Sequence, residues 1–271
     1  MKKLVVTASI IVLILLSYFI FIPAFAGRLV IDPVLHLGLF QIHWYGVTLA
    51  AAILAAFFVI RRHAWKFGIS VADIDDFSFW AVVVGLVGAR LYYVIFSYDY
   101  FSQNLGEIYK IWHGGQSIYG AILAGLIVLY VYSRKKAYGF WQLFDAVALG
   151  LPLGQAIGRF GNFFNQEAYG AVTSLPWKMY VDANQQFHHP AFLYEAIWNI
   201  IIFFILFRLL GKVKSGALAL SYVALYSLGR FFIEGTRVDS FFLLGFRVDQ
   251  VVAFLLIVTF GWLIFLRQKA H

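Results

Sequence analysis

Apolar residues in this 271-residue chain come in long runs, at 4–26, 44–60, 77–96, 117–133, 140–157, 191–210, 217–233 and 249–266. Each run is long enough, or nearly so, for a helix that crosses a bilayer, which takes about 20 residues. The pattern predicts an all-α polytopic membrane bundle of seven core helices with an extra helix before them. No Pro/Gly/Ser linker or low-complexity tract divides the chain. Residues 1–271 therefore read as one integral membrane domain, with 1–26 as an anchor or signal-like segment and 27–271 as the core. No internal repeat is evident, which weakens the repeat architecture common among transporters. The first run ends on Ala24-Phe25-Ala26, which resembles a signal-peptidase site. Its apolar core is longer than the ~7–15 residues of a cleaved signal, and that favours a retained anchor.

Composition supports the membrane class: 62% of residues are hydrophobic and 13% charged, against about a quarter charged in soluble domains. The net charge of +8 would suit a nucleic-acid partner, but its placement argues for topology instead. Lys2 and Lys3; Arg61, Arg62 and Lys66; Arg134, Lys135 and Lys136; Arg208, Lys212 and Lys214; and Arg267 and Lys269 hold thirteen of the 21 basic residues. All fall between alternate runs, so eight alternating helices put them on one side, which the positive-inside rule makes the cytoplasm. No basic stripe points to DNA or RNA. With no cysteine, the protein has no disulfide, thiolate metal site or cysteine nucleophile of its own. The histidines are scattered without zinc spacing, and no Walker, GxSxG or GxGxxG motif occurs.

Two runs carry small residues every four positions, Gly150/Gly154/Gly158 and Ala81/Gly85/Ala89, a spacing that lets helices approach closely. Pro152 is expected to bend or loosen its helix.

The informative polar residues gather in the loops opposite the basic clusters. The stretch "GRFGNFFNQEAYG" (158–170) puts Arg159, Asn162, Asn165, Gln166 and Glu167 after an apolar run, at the start of an expected outer loop, 159–190. Gly158, Gly161 and Gly170 allow close approach to backbone, and Arg159 offers a donor fork suited to phosphate. A plain Arg159–Glu167 pair would explain the charges but not the two Asn, the Gln and the glycines. In "YVALYSLGRFFIEGTR" (222–237), Tyr222, Tyr226, Arg230 and Glu234 fall on one helix face, with Arg237 next. An arginine inside a membrane segment is by default functional; an Arg230–Glu234 pair that only steadies a helix end is the plainer account. Arg159 and Arg230 together suggest one anionic ligand, for which a lipid phosphate lies at the right depth. Arg90, deep in the third run, needs a buried partner or a water-lined site. "HWYG" (43–46) fits an aromatic belt, Glu195 falls within an apolar run after Pro190, and "WHGGQSIYG" (112–120) is a Gly-rich turn.

The 158–170 stretch resembles the pattern G-R-x-G-N-F-x-N-x-E-x-x-G of the prolipoprotein diacylglyceryl transferase family at every fixed position. "HWYG", "GGQSIYG", "HPAFLYE" and "GRFFIEGTRVDS" resemble further family segments in the same order, over about residues 30 to 266. The resemblance implies a seven-helix inner-membrane enzyme that moves the diacylglyceryl group of phosphatidylglycerol onto the lipobox cysteine of a prolipoprotein and releases glycerol phosphate. It implies no cofactor, and a site toward the outer leaflet. Carried over by position, Arg159 and Arg230 are the essential arginines, with Arg159 on the head group. Asn162, Glu167 and Gly170 shape the site, Tyr45 and Tyr226 line it, and Glu234 and Arg237 match the following segment. Glu167 is a candidate base for the thiol. Tyr119 stands where many members have a histidine considered a catalytic base, so the base lies elsewhere or that role is not general; His113 is one substitute.

A transporter with interior arginines is the rival class, but it predicts polar residues through the full membrane depth, whereas here they crowd toward one end. A lipid-binding scaffold would need the arginines but not the Asn/Glu-rich loop. An inactive homologue is disfavoured by the intact 158–170 pattern.

Overall fold

The computed structural model describes residues 15, 17–38, 40–238, 240, 242–243 and 245–269, without the side chain of Gln268. Seven long helices dominate the described residues: α1 (Trp44–His63), α2 (Val71–Phe96), α3 (Ile118–Lys135), α4 (Phe140–Phe164), α5 (Ala191–Leu209), α6 (Ala217–Glu234) and α7 (Val248–Lys269). Six of them are long and apolar enough to cross a membrane, by length and composition. The exception is α4, whose 25 residues include Gln142, Asp145, Gln155, Arg159 and Asn162. The protein is all-α and polytopic. The extra N-terminal helix expected over 4–26 lies mostly outside the described residues. Of it, Ser17–Phe21 is a π-helical turn and Ile22–Phe25 an α-helical one, with Ala24 buried.

Two compact units emerge, residues 1–56, 151–208 and 220–271 in the first and residues 57–150 and 209–219 in the second. In the second unit, Ile60, Ile74, Phe77, Leu129, Tyr132 and Leu143 form the apolar core. Here α2 starts at Val71, earlier than the apolar run at 77, because Ser70 caps it: the Asp73 N–H donates to Ser70 Oγ at 3.0 Å. The acids that hide this first turn from a hydropathy reading are all engaged. Arg61 pairs with Asp75 at 2.8 Å and Lys136 with Asp73 at 2.7 Å, while the Tyr132 hydroxyl donates to Asp76 at 3.0 Å. Basic residues at the ends of α1 and α3 thus meet the acidic start of α2. Asp145 caps α6, accepting from the Ala219 N–H at 2.8 Å.

The small-residue stripe expected on α2 is displaced. A Cβ on Gly85 would meet nothing within 4 Å, whereas one on Gly88 would lie 2.4 Å from Ala124 Cβ and 2.8 Å from the Gly120 carbonyl. Helix α3 therefore seats on Gly88; counting every fourth residue found a regular stripe but not the face that α3 uses. The stripe on α4 does pack as expected in the first unit, where a Cβ on Gly154 would stand 3.0 Å from the Ala52 carbonyl of α1. Pro152 lies inside α4, which continues through it.

In the same unit α5 and α6 close on Gly229, where an added Cβ would sit 2.0 Å from Trp198 Cδ1. The indole cannot simply swing aside, since Trp198 Nε1 donates to the Leu225 carbonyl at 2.8 Å. Gly229→Ala should therefore lower stability by about 1–3 kcal/mol, the usual cost of overpacking. Thermal unfolding in detergent checks this, and an unchanged midpoint would contradict it.

Among the described residues three short antiparallel hairpins occupy the loops, a feature the hydropathy pattern does not register: β1 (Val34–Leu37) with β2 (Phe40–His43), β3 (Met179–Val181) with β4 (Gln186–His188), and β5 (Phe242–Leu243) with β6 (Phe246–Arg247). The N-terminal turn packs Phe21 and Phe25 against Phe163, and Phe25 against Phe192, beside buried Met179 and Val181 of β3. This aromatic cluster backs the part of α4 that carries Arg159.

Candidate active site

The 158–170 stretch is not the loop expected from residue 159 onward. Helix α4 runs on to Phe164, so Arg159 and Asn162 project from its last turns. A helix that stays regular through an arginine needs a partner for it, and that partner is Glu195, in the first turns of α5 and buried. Pro190 immediately precedes α5, its carbonyl accepting from the Leu193 N–H at 2.9 Å, where its own missing donor costs nothing.

Glu195 is the hub of the first unit's ion pairs. Its Oε2 meets Arg159 Nη2, while its Oε1 meets Arg230 Nη1 at 3.0 Å and Arg237 Nη1 at 3.5 Å. Arg230 Nη2 also pairs with Glu234 at 2.6 Å, one turn along α6, and with Asp249 at 3.2 Å, in the first turn of α7. Glu234 is 1% exposed and accepts from the Ser240 hydroxyl at 2.6 Å. The expected Arg230–Glu234 pair is thus present, but as one edge of a network. The expected Arg159–Glu167 pair is absent among the described contacts. Glu167 instead accepts from Asn162 Nδ2 at 2.9 Å and Asn165 Nδ2 at 3.3 Å, forming a second small polar group.

The loop after α4 turns sharply, with Gln166 and Ala168 at φ of 48° and 55°. Gln166 and Asp182 hold the turn to the β3–β4 hairpin reciprocally: Gln166 Nε2 donates to Asp182 Oδ2 and the Asp182 N–H to Gln166 Oε1, both at 2.8 Å. Gly170 then bridges Arg237 in antiparallel fashion. A Cβ there would fall 2.6 Å from the Thr236 carbonyl, so its close approach is to the exit of α6. That bridge ties the backbone beside Arg237 to the 158–170 segment.

Tyr45, at the start of α1, lies against Gly161, where an added Cβ would be 2.7 Å from its ring. Tyr226 sits one turn before Arg230, its ring 6.1 Å from that of Tyr222. Tyr119 belongs to the second unit, exposed at the start of α3, its ring 6.2 Å from Tyr92. His113, also there, is engaged: its Nδ1 lies 2.6 Å from Glu107 Oε2. Lys110, donating to Glu107, and His113 hold that carboxyl below its ordinary pKa. Arg90 is itself buried and has the partners it requires, but they are backbone. Its guanidinium donates to the carbonyls of Ile108 at 2.9 Å, Gly115 at 2.8 Å and Glu107 at 2.6 Å, and so organises the 105–117 loop.

Sequence reasoning did not place Glu195 or Asp249 in the site. Glu195 carried a signal, as the lone acid in its helix; Asp249 is the first residue of the last apolar run and carried none. No grouping of three or more potential metal ligands occurs among the described residues.

Apolar helices bearing, at their ends, a largely buried cluster of three arginines and three carboxylates define a polytopic membrane protein with a polar centre among its helices. The sequence model described as prolipoprotein diacylglyceryl transferase matches residues 33–266. Phosphatidylglycerol–prolipoprotein diacylglyceryl transferases are similar over most of their length. That of Fervidobacterium nodosum is 44% identical over 269 residues, covering 94% of this chain and 92% of the relative. That of Listeria innocua is 43% identical over 256 residues (89% and 92%), and that of Thermosynechococcus vestitus 42% over 242 residues (85% and 90%). The chain belongs to the prolipoprotein diacylglyceryl transferase family.

Proposed function

We propose that this chain transfers the diacylglyceryl group of phosphatidylglycerol to the lipobox cysteine thiol of a prolipoprotein. It would do so in the bacterial cytoplasmic membrane, at a site toward the outer leaflet. Family membership makes it a transferase; the basic clusters between alternate helices support the orientation. The observation that carries the chemistry is the convergence of Arg159 and Arg230, from separate helices, on the two oxygens of one carboxylate, Glu195. Two guanidinium groups that meet across one small anion are spaced to grip another, such as a phosphate ester.

The thiolate attacks the glyceryl carbon that bears the phosphate. A C–S bond forms, the C–O bond to phosphate breaks, and glycerol phosphate leaves with the electron pair. The phosphodiester carries one negative charge and the departing monoester gains a second, so arginines aimed at its oxygens stabilise the transition state more than the ground state. Arg159 and Arg230 have that role. Arg237 and Glu234 hold Arg230 and Glu195 in place. Asn162 and Gly170 shape the site, and Tyr45 and Tyr226 line the lipid path. The proton leaves the thiol for Glu167, whose carboxylate Asn162 and Asn165 orient. The substrate supplies the nucleophile and the arginines the charge stabilisation, so the reading calls for no cofactor, metal or nucleic acid.

Purified protein incubated with phosphatidylglycerol and a lipobox peptide should yield a peptide heavier by one diacylglyceryl group in mass spectrometry. No adduct, where a control transferase makes one, overturns the reading. In the same assay Glu167→Gln should turn over about 10²–10⁴-fold more slowly, the usual contribution of a general base. Near-normal turnover would remove Glu167 from that role.

A further inference from the structure

We infer that Asp249 is a resident anion that occupies part of the phosphate's place on Arg230, so that it must release Nη2 of Arg230 before a lipid phosphate takes that donor and thereby sets the affinity for anionic headgroups. The inference rests on the phosphate-clamp reading above. Both terminal nitrogens of Arg230 are already engaged, Nη1 by Glu195 and Nη2 by Glu234 and Asp249. An anion that takes the Nη2 edge of Arg230, whose two hydrogens face Glu234 and Asp249, therefore displaces a carboxylate, and the carboxylates are not equally displaceable.

Glu195 and Glu234 have side chains 4% and 1% exposed, and each holds more than one arginine. Moving either would leave charges unpaired where water reaches them only in part. Asp249 differs in each respect. Its side chain is 35% exposed, its recorded ion pair is with Arg230 alone, and at 3.2 Å that contact is the longest of Arg230's three. It also lies in the first turn of α7, where backbone N–H groups lack intrahelical partners and the helix dipole favours a negative charge. A displaced Asp249 thus finds both water and its own helix terminus.

The neighbouring residues keep this exchange local. Gln250 Nε2 donates to the Phe231 carbonyl of α6 at 2.9 Å, which fixes the backbone next to Asp249, so release is a side-chain rotation. Arg247, two residues earlier, donates to the carbonyls of Glu234 and Arg237 and to Ser240 Oγ, so among the described residues its recorded contacts lie with that turn. Asp249 therefore competes with the phosphate for one donor of Arg230 and leaves Arg159 available. Net affinity is the difference between the two anions' hold on Arg230.

The test replaces Asp249 with Asn, and separately with Ser as a second neutral side chain. Binding of short-chain phosphatidylglycerol in micelles and KM for the same lipid are measured beside the wild-type protein. Each neutral variant that folds should bind about three- to fivefold tighter, with KM falling in proportion, the scale of one partly exposed ion pair. The gain should shrink as salt is raised. Phosphatidylcholine, whose headgroup has no net charge, should show no such gain. Glycerol phosphate should also bind tighter if the free phosphate ester suffices, and unchanged if the lipid is needed. Asp249→Glu, with its charge restored, should return KM toward the wild-type value. Unchanged or weaker phosphatidylglycerol binding in the folded neutral variants overturns the inference. If no protein forms the peptide adduct, the transferase reading fails, and the binding comparison still decides the role of Asp249.

Discussion

Glu195→Gln should cost this protein both stability and activity, more than any other single substitution in the site. The change preserves shape and removes one negative charge, leaving Arg159, Arg230 and Arg237 with Glu234 and Asp249 between them. Removing one partner of a buried ion pair typically costs about 3–5 kcal/mol, because the remaining charge stays in a poorly solvated place. Here the arginines are 12–25% exposed, so water recovers part of that and the lower end is expected. An opposing effect also exists, since a more positive cluster attracts phosphate more strongly. Geometry decides the sign for activity. Glu195 is what holds two guanidinium groups on either side of one small anion, and a misplacement of about 1 Å can cost 10²-fold in rate. Turnover should therefore fall at least about 100-fold while the lipid still binds. Phosphatidylglycerol should also raise the variant's unfolding midpoint more than the wild type's, because the phosphate replaces the lost carboxylate. Wild-type turnover together with a wild-type midpoint would show that Glu195 is not the organiser of the cluster.

The sequence pattern reveals the seven long helices because apolar runs and bundle helices have one cause, the need to satisfy backbone polar groups within lipid. It misplaces their polar ends for a related reason. Helix α4 reads as ending before Arg159, and α2 as starting after Asp73, Asp75 and Asp76, because a charge in the linear sequence looks like water. In both places the charge is satisfied across space, by Glu195 for Arg159 and by Arg61, Lys136 and Tyr132 for the acids. Such pairing has no signature in local composition. The spacing of four from Tyr222 through Arg230 to Glu234 survives folding because the helix itself delivers it. The meeting of Arg230 with Glu195 needs α5 and α6 packed together, and that depends on the fit of Trp198 over Gly229. Arg90 shows the limit most plainly: its acceptors are backbone carbonyls, which every residue carries. The resemblance supplies candidate roles by position, but it does not supply the contacts, and Glu195 and Asp249 emerge only from those.

Arg159→Lys tests whether the site uses the shape of the guanidinium or only its charge. Among the described residues Arg159 has Glu195 as its recorded partner, through Nη2, which leaves its other donors for a ligand. An arginine can hold a carboxylate with one edge and present the rest of its fork to a phosphate, because its five donors lie in one plane. A lysine ammonium at the end of a shorter reach must choose. If it stays with Glu195 it withdraws from the phosphate; if it turns to the phosphate it leaves Glu195 short of a partner. Either choice weakens a contact that matters most as the leaving phosphate gains its second charge. The loss should then appear mainly in kcat, by about 10²–10³-fold, as for removal of one donor from a site that stabilises a developing anion. KM should move much less, since overall charge attraction is retained. The unfolding midpoint should drop less than in Glu195→Gln, because the ammonium still faces a carboxylate. Full activity in Arg159→Lys would refute the fork and leave Arg159 as a simple counter-charge to Glu195. A rise confined to KM would instead place Arg159 in lipid capture, with the charge stabilisation at Arg230.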